Sequence, residues 1–459
     1  MKPLRLACLA ALFACCAFAQ LPPERQLARD VFEQLININT TDSIGDNTKA
    51  AEAMAERFRS AGFPKKDVQV LVQAPRKGNL VVRYRGTGSA KPIVFVAHLD
   101  VVEAKREDWS VDPFHFLEKD GYFYGRGTED DKSGDAELVA SFLRLKKEGF
   151  QPARDLILAL TADEEGGNSN GVDWLLKNHR DLVDAEFCVN TDAGGGQLQK
   201  GKRVVFAVQA AEKTYLSFRL EVKNKGGHSS LPVPDNAIYH LADGLSKLQS
   251  YQFPVRLNGV SSQFFERMAS ITGGQTGQDM KALLANPPLP GPVSRLSKTA
   301  YYNAMMRTTC VPTELMGGHA ENALPQTAVA IVNCRLVPDD TPENVQNTLT
   351  RIVHDREISI TQVQPALPGP ASPVPPALMQ TIEGITNSLW PGVPVVPVME
   401  TGATDGKFFR LAGIPTYGVS GLFGDVDDVR AHGRDERVGV EPFYQAIDFY
   451  YRLIQALAK

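Results

Sequence analysis

Two histidines and several carboxylates lie in short polar motifs whose residue types suit a metal site. His98 and Asp100 are separated by one residue and follow the apolar run Ile93–Val96. On an extended backbone this spacing places both side chains on one face, where a carboxylate can orient a metal-binding histidine. The ordinary alternative is a structural histidine at the end of a strand. In a second motif, Gly125–Lys132, consecutive carboxylates follow a glycine loop, and like charges this close are costly unless a cation or a helix N-terminus neutralises them.

Further carboxylates follow two later apolar runs. Glu164 and Glu165 come after the run Leu156–Leu160, Asp192 follows the next predicted strand, and a second histidine, His432, lies far downstream. Polar residues at the carboxyl ends of strands in an α/β sheet face one crevice, so we expect these groups to converge. Oxygen and imidazole ligands without thiolate suit zinc, cobalt or manganese in a hydrolytic site.

The segments that carry these motifs alternate between strand and helix patterns. The alternation predicts an α/β fold with a mixed, mostly parallel sheet and helices on both faces. The predicted strands are Val68–Val72, Leu80–Tyr84, Ile93–Val96, Leu156–Leu160 and Phe187–Val189, and the predicted helices include Ser133–Glu148, Val172–His179 and Glu441–Leu457.

From Thr214 the pattern changes to one that is typical of an inserted α+β domain. Alternation over Tyr215–Val222 predicts an antiparallel strand with one polar face. Further elements are expected at Asp235–Gln249, Ala328–Leu336, Pro342–His354 and Ile358–Val363, with an irregular stretch at 273–292 and a proline-rich linker at 365–376. We therefore predict a signal peptide at 1–19, a catalytic domain in two parts at 20–211 and 367–459, and a lid at 212–366.

Composition and the N-terminus narrow the class of protein. The chain has 459 residues, with 49 Lys and Arg against 53 Asp and Glu, which argues against a polybasic protein that binds nucleic acid. Lys2 and Arg5 precede an apolar run, Leu6–Ala19, that is typical of a cleaved secretory signal and shorter than a membrane span. We expect a secreted or periplasmic protein without a membrane span; a lipoprotein anchor is the less favoured alternative. A disulfide between Cys310 and Cys334 is left open.

Taken together, the motifs resemble those of the aminoacylase/carboxypeptidase family of co-catalytic zinc metallopeptidases, the M20 type. Five motifs occur in the expected order, and the long stretch between the lid motifs is similar to the carboxypeptidase-S-like branch. The resemblance implies two Zn²⁺ ions, with Co²⁺ or Mn²⁺ as alternatives. It assigns His98 and Asp192 to the first ion, Glu165 and His432 to the second, and Asp130 as the bridging ligand.

The same resemblance implies the catalytic and substrate-binding residues. Asp100 would orient His98, and Glu164 would be the general base that activates a metal-bound water. His228, in the motif Lys225–Ser230, would stabilise the oxyanion. The residues expected to bind substrate are Asn322, Arg335 and Gly402, and a guanidinium can bind both oxygens of a carboxylate at once.

These residues predict a secreted di-zinc hydrolase that cleaves an amide bond next to a free carboxylate. Carboxypeptidase, dipeptidase and N-acyl-amino-acid hydrolase activities all fit, with a small peptide or an N-acyl amino acid as the substrate. The alternative is a non-catalytic protein that binds peptides or amino acids on the same scaffold. Hydrolysis of phosphate esters is less favoured because the chain lacks an additional basic cluster beside the motifs. A monomer and a homodimer are both compatible with the sequence.

Overall fold

The computed structural model describes residues 21–459, and the predicted signal peptide lies outside this range. The first helices are α1 (Pro23–Ile36), α2 (Asn47–Ser60), α3 (Lys132–Lys147), α4 (Gly171–Asn178) and α5 (Arg180–Val183). The first strands are β1 (Val68–Ala74), β2 (Lys77–Tyr84), β3 (Ala90–His98), β4 (Leu117–Lys119), β5 (Tyr122–Tyr124), β6 (Arg154–Thr161), β7 (Phe187–Asn190), β8 (Gly195–Gln199) and β9 (Lys202–Glu212).

The middle of the chain contains six strands and six helices among the described residues. The strands are β10 (Thr214–Lys223), β11 (Gly227–His228), β12 (Thr309–Gly317), β13 (Ala323–Leu324), β14 (Thr327–Leu336) and β15 (Ile358–Gln362). The helices are α6 (Ala237–Ser250), α7 (Gly259–Thr272), α8 (Gly274–Leu283), α9 (Pro290–Leu296), α10 (Ala300–Met306) and α11 (Pro342–Val353).

The last part of the chain returns to the first sheet. Its helices are α12 (Pro376–Leu389), α13 (Gly406–Leu411) and α14 (Val440–Leu457), and its strands are β16 (Val395–Glu400), β17 (Thr416–Gly418), β18 (Phe423–Asp425) and β19 (Arg437–Gly439). β19 pairs with β5 in a small three-stranded sheet, β19-β5-β4.

A ten-stranded mixed sheet forms the centre of the molecule, in the order β1-β2-β6-β3-β7-β17-β9-β8-β18, with β16 beside β9. The pairs β6–β3, β3–β7 and β7–β17 are parallel, and these strands form its middle. β3 and β6 are buried on both faces because helices cover the sheet on each side, which explains their continuous apolar sequences. The predicted α/β fold with a mostly parallel sheet is confirmed.

Within the residues predicted to form the lid, a separate antiparallel sheet, β12-β14-β10-β15, has its own apolar core. Leu216, Phe218 and Leu220 of β10 face that core together with residues of α6 and α11. A disulfide joins Cys310 on β12 to Cys334 on β14, which is the pairing that the sequence left open.

Helices α7–α10 pack against the large sheet, although they lie within the predicted lid in chain order. Phe264 and Met280 belong to the core of the large sheet, and the Arg267 guanidinium donates to the Val395 carbonyl at 2.9 Å. The predicted irregular stretch at 273–292 is wrong, since α8 and α9 occupy most of it. The glycines and prolines that suggested a loop have other roles. Gly277 lets α8 pack closely against α7, since a Cβ there would lie 2.3 Å from the Ala269 carbonyl oxygen. Pro290 is the first residue of α9.

Candidate metal and active site

The central parallel strands β6, β3 and β7 end side by side, and each delivers a predicted site residue at its carboxyl end. His98 is the last residue of β3, the Glu164–Glu165 pair follows β6, and Asp192 follows β7. Asp130 reaches the same crevice from the loop before α3, and His432 from the loop between β18 and β19. The parallel register of the strands is therefore what brings distant motifs together.

Asp130 lies between the two histidines. One of its carboxylate oxygens is 3.0 Å from Nε2 of His98, and the other is 3.1 Å from Nε2 of His432. Nε2 of His432 is also 2.8 Å from Glu165, and Nε2 of His98 is 3.8 Å from Asp192. Two groups of donor atoms result, each with its members within 4.8 Å of one another: His98–Glu164–Asp192 and His98–Asp130–Glu165.

Asp100 holds this cluster through two different contacts. Its main-chain oxygen lies 3.0 Å from Nδ1 of His98, whereas its carboxylate is 3.8 Å from that nitrogen. The carboxylate instead accepts hydrogen bonds from the main-chain amides of Glu164 and Glu165, at 3.1 and 2.9 Å. The main chain of Asp100 thus fixes the His98 ring, and its side chain fixes the glutamate pair.

A buried ion pair that the sequence did not reveal supports Asp130. Glu436 accepts a hydrogen bond from the Arg126 guanidinium at 2.6 Å, and both side chains are almost completely buried. The same carboxylate accepts from the main-chain amides of Gly127, Glu129 and Asp130 at 3.1, 2.7 and 3.2 Å. Glu436 therefore joins the loop of Asp130 to the loop of His432.

The electrostatics of the cluster are those of a cation site. For Asp192, burial and the charge of Asp130 raise the pKa to about 7. For His432, hydrogen bonds to Asp130 and Glu165 raise the pKa to about 10. Burial lowers the pKa of His98, but the hydrogen bond to Asp130 and the negative charge of Asp192 outweigh burial and raise it. Several carboxylates at this distance need positive charge nearby, and the imidazole and carboxylate donors fit divalent metal ions such as zinc.

Two cavities include residues of the cluster in their lining. The first, with a volume of about 820 Å³, is lined by Glu164 and Glu165 and by Arg335 and Gly402 from the predicted substrate-binding set. The second, of about 600 Å³, is lined by the ligand candidates Asp130 and Asp192. Different residues of the cluster therefore line each cavity.

Arg335 lies on β14 opposite Tyr215 of β10, and its guanidinium stacks over the Tyr215 ring at 4.7 Å. Lys407 and Lys213 line the same cavity, so three cationic residues belong to its lining. The Lys213 ammonium donates to the main-chain oxygens of Ala304 and Arg307, which leaves Arg335 and Lys407 as the cations available to a ligand.

His228 and Asn322 do not belong to the lining of either cavity. His228 pairs with Ala323 in the short β11–β13 hairpin, and the amide of Ser229 donates to the Asn322 carbonyl at 3.0 Å. The His228 ring is exposed and accepts a hydrogen bond from the Ser230 amide. Of the predicted substrate residues, the structure brings Arg335 and Gly402 to the glutamate pair.

The family model described as peptidase family M20/M25/M40 matches residues 94–456. The chain belongs to the M20 peptidase family. Among its relatives is a Xenopus tropicalis protein named N-fatty-acyl-amino acid synthase/hydrolase PM20D1, which is 30% identical over 418 residues, 89% of this chain and 81% of the relative. A probable carboxypeptidase S-like 2 from Dictyostelium discoideum is 28% identical over 415 residues, 88% of this chain and 79% of the relative.

Among solved structures, the M20 family metallo-carboxypeptidase Sso-CP2 from Sulfolobus solfataricus superposes with a TM-score of 0.68 at 18% identity, covering 94% of this chain and 99% of that one. The predicted membership in the M20 family and the prediction of an enzyme are confirmed. None of the helices within residues 21–459 has the length and apolar character needed to cross a membrane.

Proposed function

We propose that this M20 enzyme is a secreted di-zinc hydrolase of the amide bond between an acyl group and an amino acid whose carboxylate is free. The observation that carries the proposal is the position of Asp130, which presents one oxygen to each of two histidines that have further carboxylates beside them. A bridging carboxylate between two sets of donors is the arrangement expected for a two-metal site. The names of the relatives, an N-fatty-acyl-amino acid synthase/hydrolase and a carboxypeptidase S-like protein, support substrates of this kind.

His98 and Asp192 would hold one ion, Glu165 and His432 the other, and Asp130 would contact both. Bound divalent ions supply Lewis-acid polarisation of the scissile carbonyl and lower the pKa of water. Glu164 lies beside this cluster, where burial and the charge of Asp192 raise the pKa of its carboxyl group. A raised pKa suits a group that takes a proton from water and passes it to the leaving amine.

The cationic side chains fix the direction of the substrate. Arg335 and Lys407 line the cavity that also contains Glu164, so the free carboxylate of the substrate would lie there. His228 would act as an oxyanion donor only if the lid hairpin approached the cluster, since its ring is solvent-exposed here.

The test measures hydrolysis of N-acyl amino acids and dipeptides by metal-free and zinc-loaded protein. We expect chelation to abolish activity and Zn²⁺ to restore it. Because Glu164 also lies among the donor atoms, Glu164→Gln must be assayed for both rate and metal content. Loss of 10² to 10⁴ in kcat with unchanged metal content identifies a general base. Glu103→Gln, at an exposed position, is the matched control. Full activity in metal-free enzyme or in Glu164→Gln would contradict the mechanism, and tight binding without turnover would favour the non-catalytic alternative.

A further inference from the structure

The cavity of about 820 Å³ that Glu164 lines holds charged groups of both signs. Its lining includes the carboxylates Glu164, Glu165 and Glu212 and the cations Lys213, Arg335 and Lys407. Equal numbers of the two signs would by themselves give the cavity no preference for an anion or a cation. What a ligand meets therefore depends on which of these groups are already paired within the protein.

The three carboxylates are all engaged by other groups. The Glu164–Glu165 pair belongs to the metal cluster, where bound ions would offset its charge. Glu212 forms an ion pair with Arg410 at 3.1 Å and accepts a hydrogen bond from the Thr404 hydroxyl at 2.9 Å. The Glu212 and Arg410 side chains are almost completely buried, so their charges offset each other inside the wall. None of the three carboxylates is left to neutralise a cation in the cavity.

The cations differ in this respect, because two of the three have no ion-pair partner within residues 21–459. The Lys213 ammonium donates to two main-chain oxygens and to a threonine hydroxyl, which satisfies it. The Arg335 guanidinium lies 4.7 Å from the centre of the Tyr215 ring. The Lys407 ammonium lies 4.8 Å from the centre of the Phe408 ring. An aromatic ring attracts a cation but carries no net charge, so both positive charges remain available to an anionic ligand.

One carboxylate does not need both of these cations. A guanidinium can bind both oxygens of a carboxylate on its own, whereas an ammonium acts as a point charge. Arg335 lies on β14 of the lid sheet, and Lys407 lies in the first turn of α13, which packs against the large sheet. Asp405, the acidic residue nearest to Lys407 in the sequence, is buried and accepts hydrogen bonds from Asn170 and Thr161. Lys407 is thus left for a second anionic group of the ligand.

We propose that the amino acid released by this enzyme is acidic, with Arg335 binding its α-carboxylate and Lys407 binding its side-chain carboxylate. The proposal rests on the proposed function, since it places the scissile amide at the metal cluster. The substrate class is an N-acyl derivative of aspartate or glutamate, and water added across its amide bond yields a carboxylic acid and the free acidic amino acid. The preference concerns the leaving amino acid and is independent of the acyl group.

The experiment compares N-acyl derivatives of glutamate, glutamine and leucine as substrates of the zinc-loaded full chain. Each is prepared with an acetyl and with a dodecanoyl group, so that the length of the acyl chain does not decide the outcome. Glutamate and glutamine have nearly the same shape, and the ratio of their kcat/KM values therefore isolates the effect of charge. A hydrogen bond to a charged group changes binding about 10- to 150-fold, and we expect a ratio of glutamate to glutamine of about ten or more.

The decisive variant is Lys407→Met, which removes the charge and keeps most of the length of the side chain. We expect it to bring the ratio of glutamate to glutamine close to one, and we expect Lys407→Arg to keep a preference for glutamate. Lys223→Met is the matched control, because Lys223 is 80% exposed on β10 and lines neither cavity. Arg335→Met should lower kcat/KM for both substrates and preserve their ratio, since both substrates have the α-carboxylate.

Hydrolysis of the leucine derivatives together with a wild-type ratio near one would overturn this proposal and leave the proposed function intact. A ratio in Lys407→Met equal to that of Lys223→Met would also overturn it. So would a ratio that Arg335→Met abolishes and Lys407→Met preserves, because Lys407 would then not contact the side-chain carboxylate. Absence of hydrolysis for every substrate would instead overturn the proposed function, and this proposal with it.

Discussion

Replacing Glu436 by glutamine should weaken both the fold and the metal site, although it changes only one atom of the side chain. All four contacts of this carboxylate are with hydrogen-bond donors, so the amide nitrogen of glutamine must face at least one of them. If that nitrogen replaces the oxygen that binds Arg126 and Gly127, a charge-assisted bond and an ordinary one are lost, and Arg126 becomes an unpaired buried cation. Breaking a buried ion pair in this way costs about 3–5 kcal/mol.

The substitution should also weaken metal binding, because the Glu436 carboxylate accepts a hydrogen bond from the main-chain amide of the candidate ligand Asp130. Loss of such outer contacts typically weakens metal binding about 10- to 100-fold. The assays are urea unfolding of the metal-free protein and competition for zinc with a chromophoric chelator.

Two further variants make the interpretation specific. Arg126→Met combined with Glu436→Gln removes the stranded cation and should recover at least half of the lost stability. Glu441→Gln breaks the exposed pair with Arg25, and its cost should be at most about 1 kcal/mol. The reasoning is refuted if Glu436→Gln costs no more than Glu441→Gln and leaves the affinity for zinc unchanged.

Three other predictions concern separate features. Arg335→Met should lower kcat/KM about 10- to 150-fold for substrates with a free carboxylate, because a charged hydrogen bond is worth about 1.5–3 kcal/mol, and should have little effect on amide-capped analogues; equal losses on both would contradict carboxylate binding. Burial raises the pKa of Glu137 to about 8, so unfolding releases a proton between pH 4.5 and 8, and stability falls as the pH rises through this window. The free energy of unfolding of Glu137→Gln should rise relative to that of wild type by up to about 1.4 kcal/mol per pH unit in this window. Urea unfolding of the metal-free proteins measures the difference. A difference that does not change with pH would show that Glu137 ionises normally. Removing the Cys310–Cys334 disulfide by paired serine substitution should cost the lid about 3 kcal/mol, given its sequence separation of 24; a wild-type lid whose unfolding is insensitive to reductant would argue against the bond.

The sequence predicts the elements that carry the cluster because each candidate ligand is tied to a local pattern. His98 and Glu164 follow continuous apolar runs, and such runs are typical of strands that helices cover on both sides. The mostly parallel sheet follows from the alternation of these runs with helices. The convergence of the ligands at one sheet edge can then be predicted without knowing any long-range contact.

Glu436 and the cavity beside β8 and β18 could not be predicted in the same way. Glu436 lies 306 residues from Asp130, and nothing in the charged segment around it distinguishes a buried carboxylate from a solvated one. Leu198 and Val429 line one cavity only because β8 pairs with β18 at the far end of the sheet. The packing of α7–α10 could not be predicted either, because an apolar helical face indicates burial but not which sheet the helix covers.

The packing of α7–α10 limits which segments can be exchanged between proteins of this fold. The chain passes between the large core and the lid core four times within the described residues, after β9, before α7, after α10 and beyond β15. Cutting out everything from β10 to β15 would strip Phe264 and Met280 from the large core and expose the apolar surface that they cover. A transplantable lid therefore consists of two separate segments, and a minimal catalytic unit must keep the helices between them.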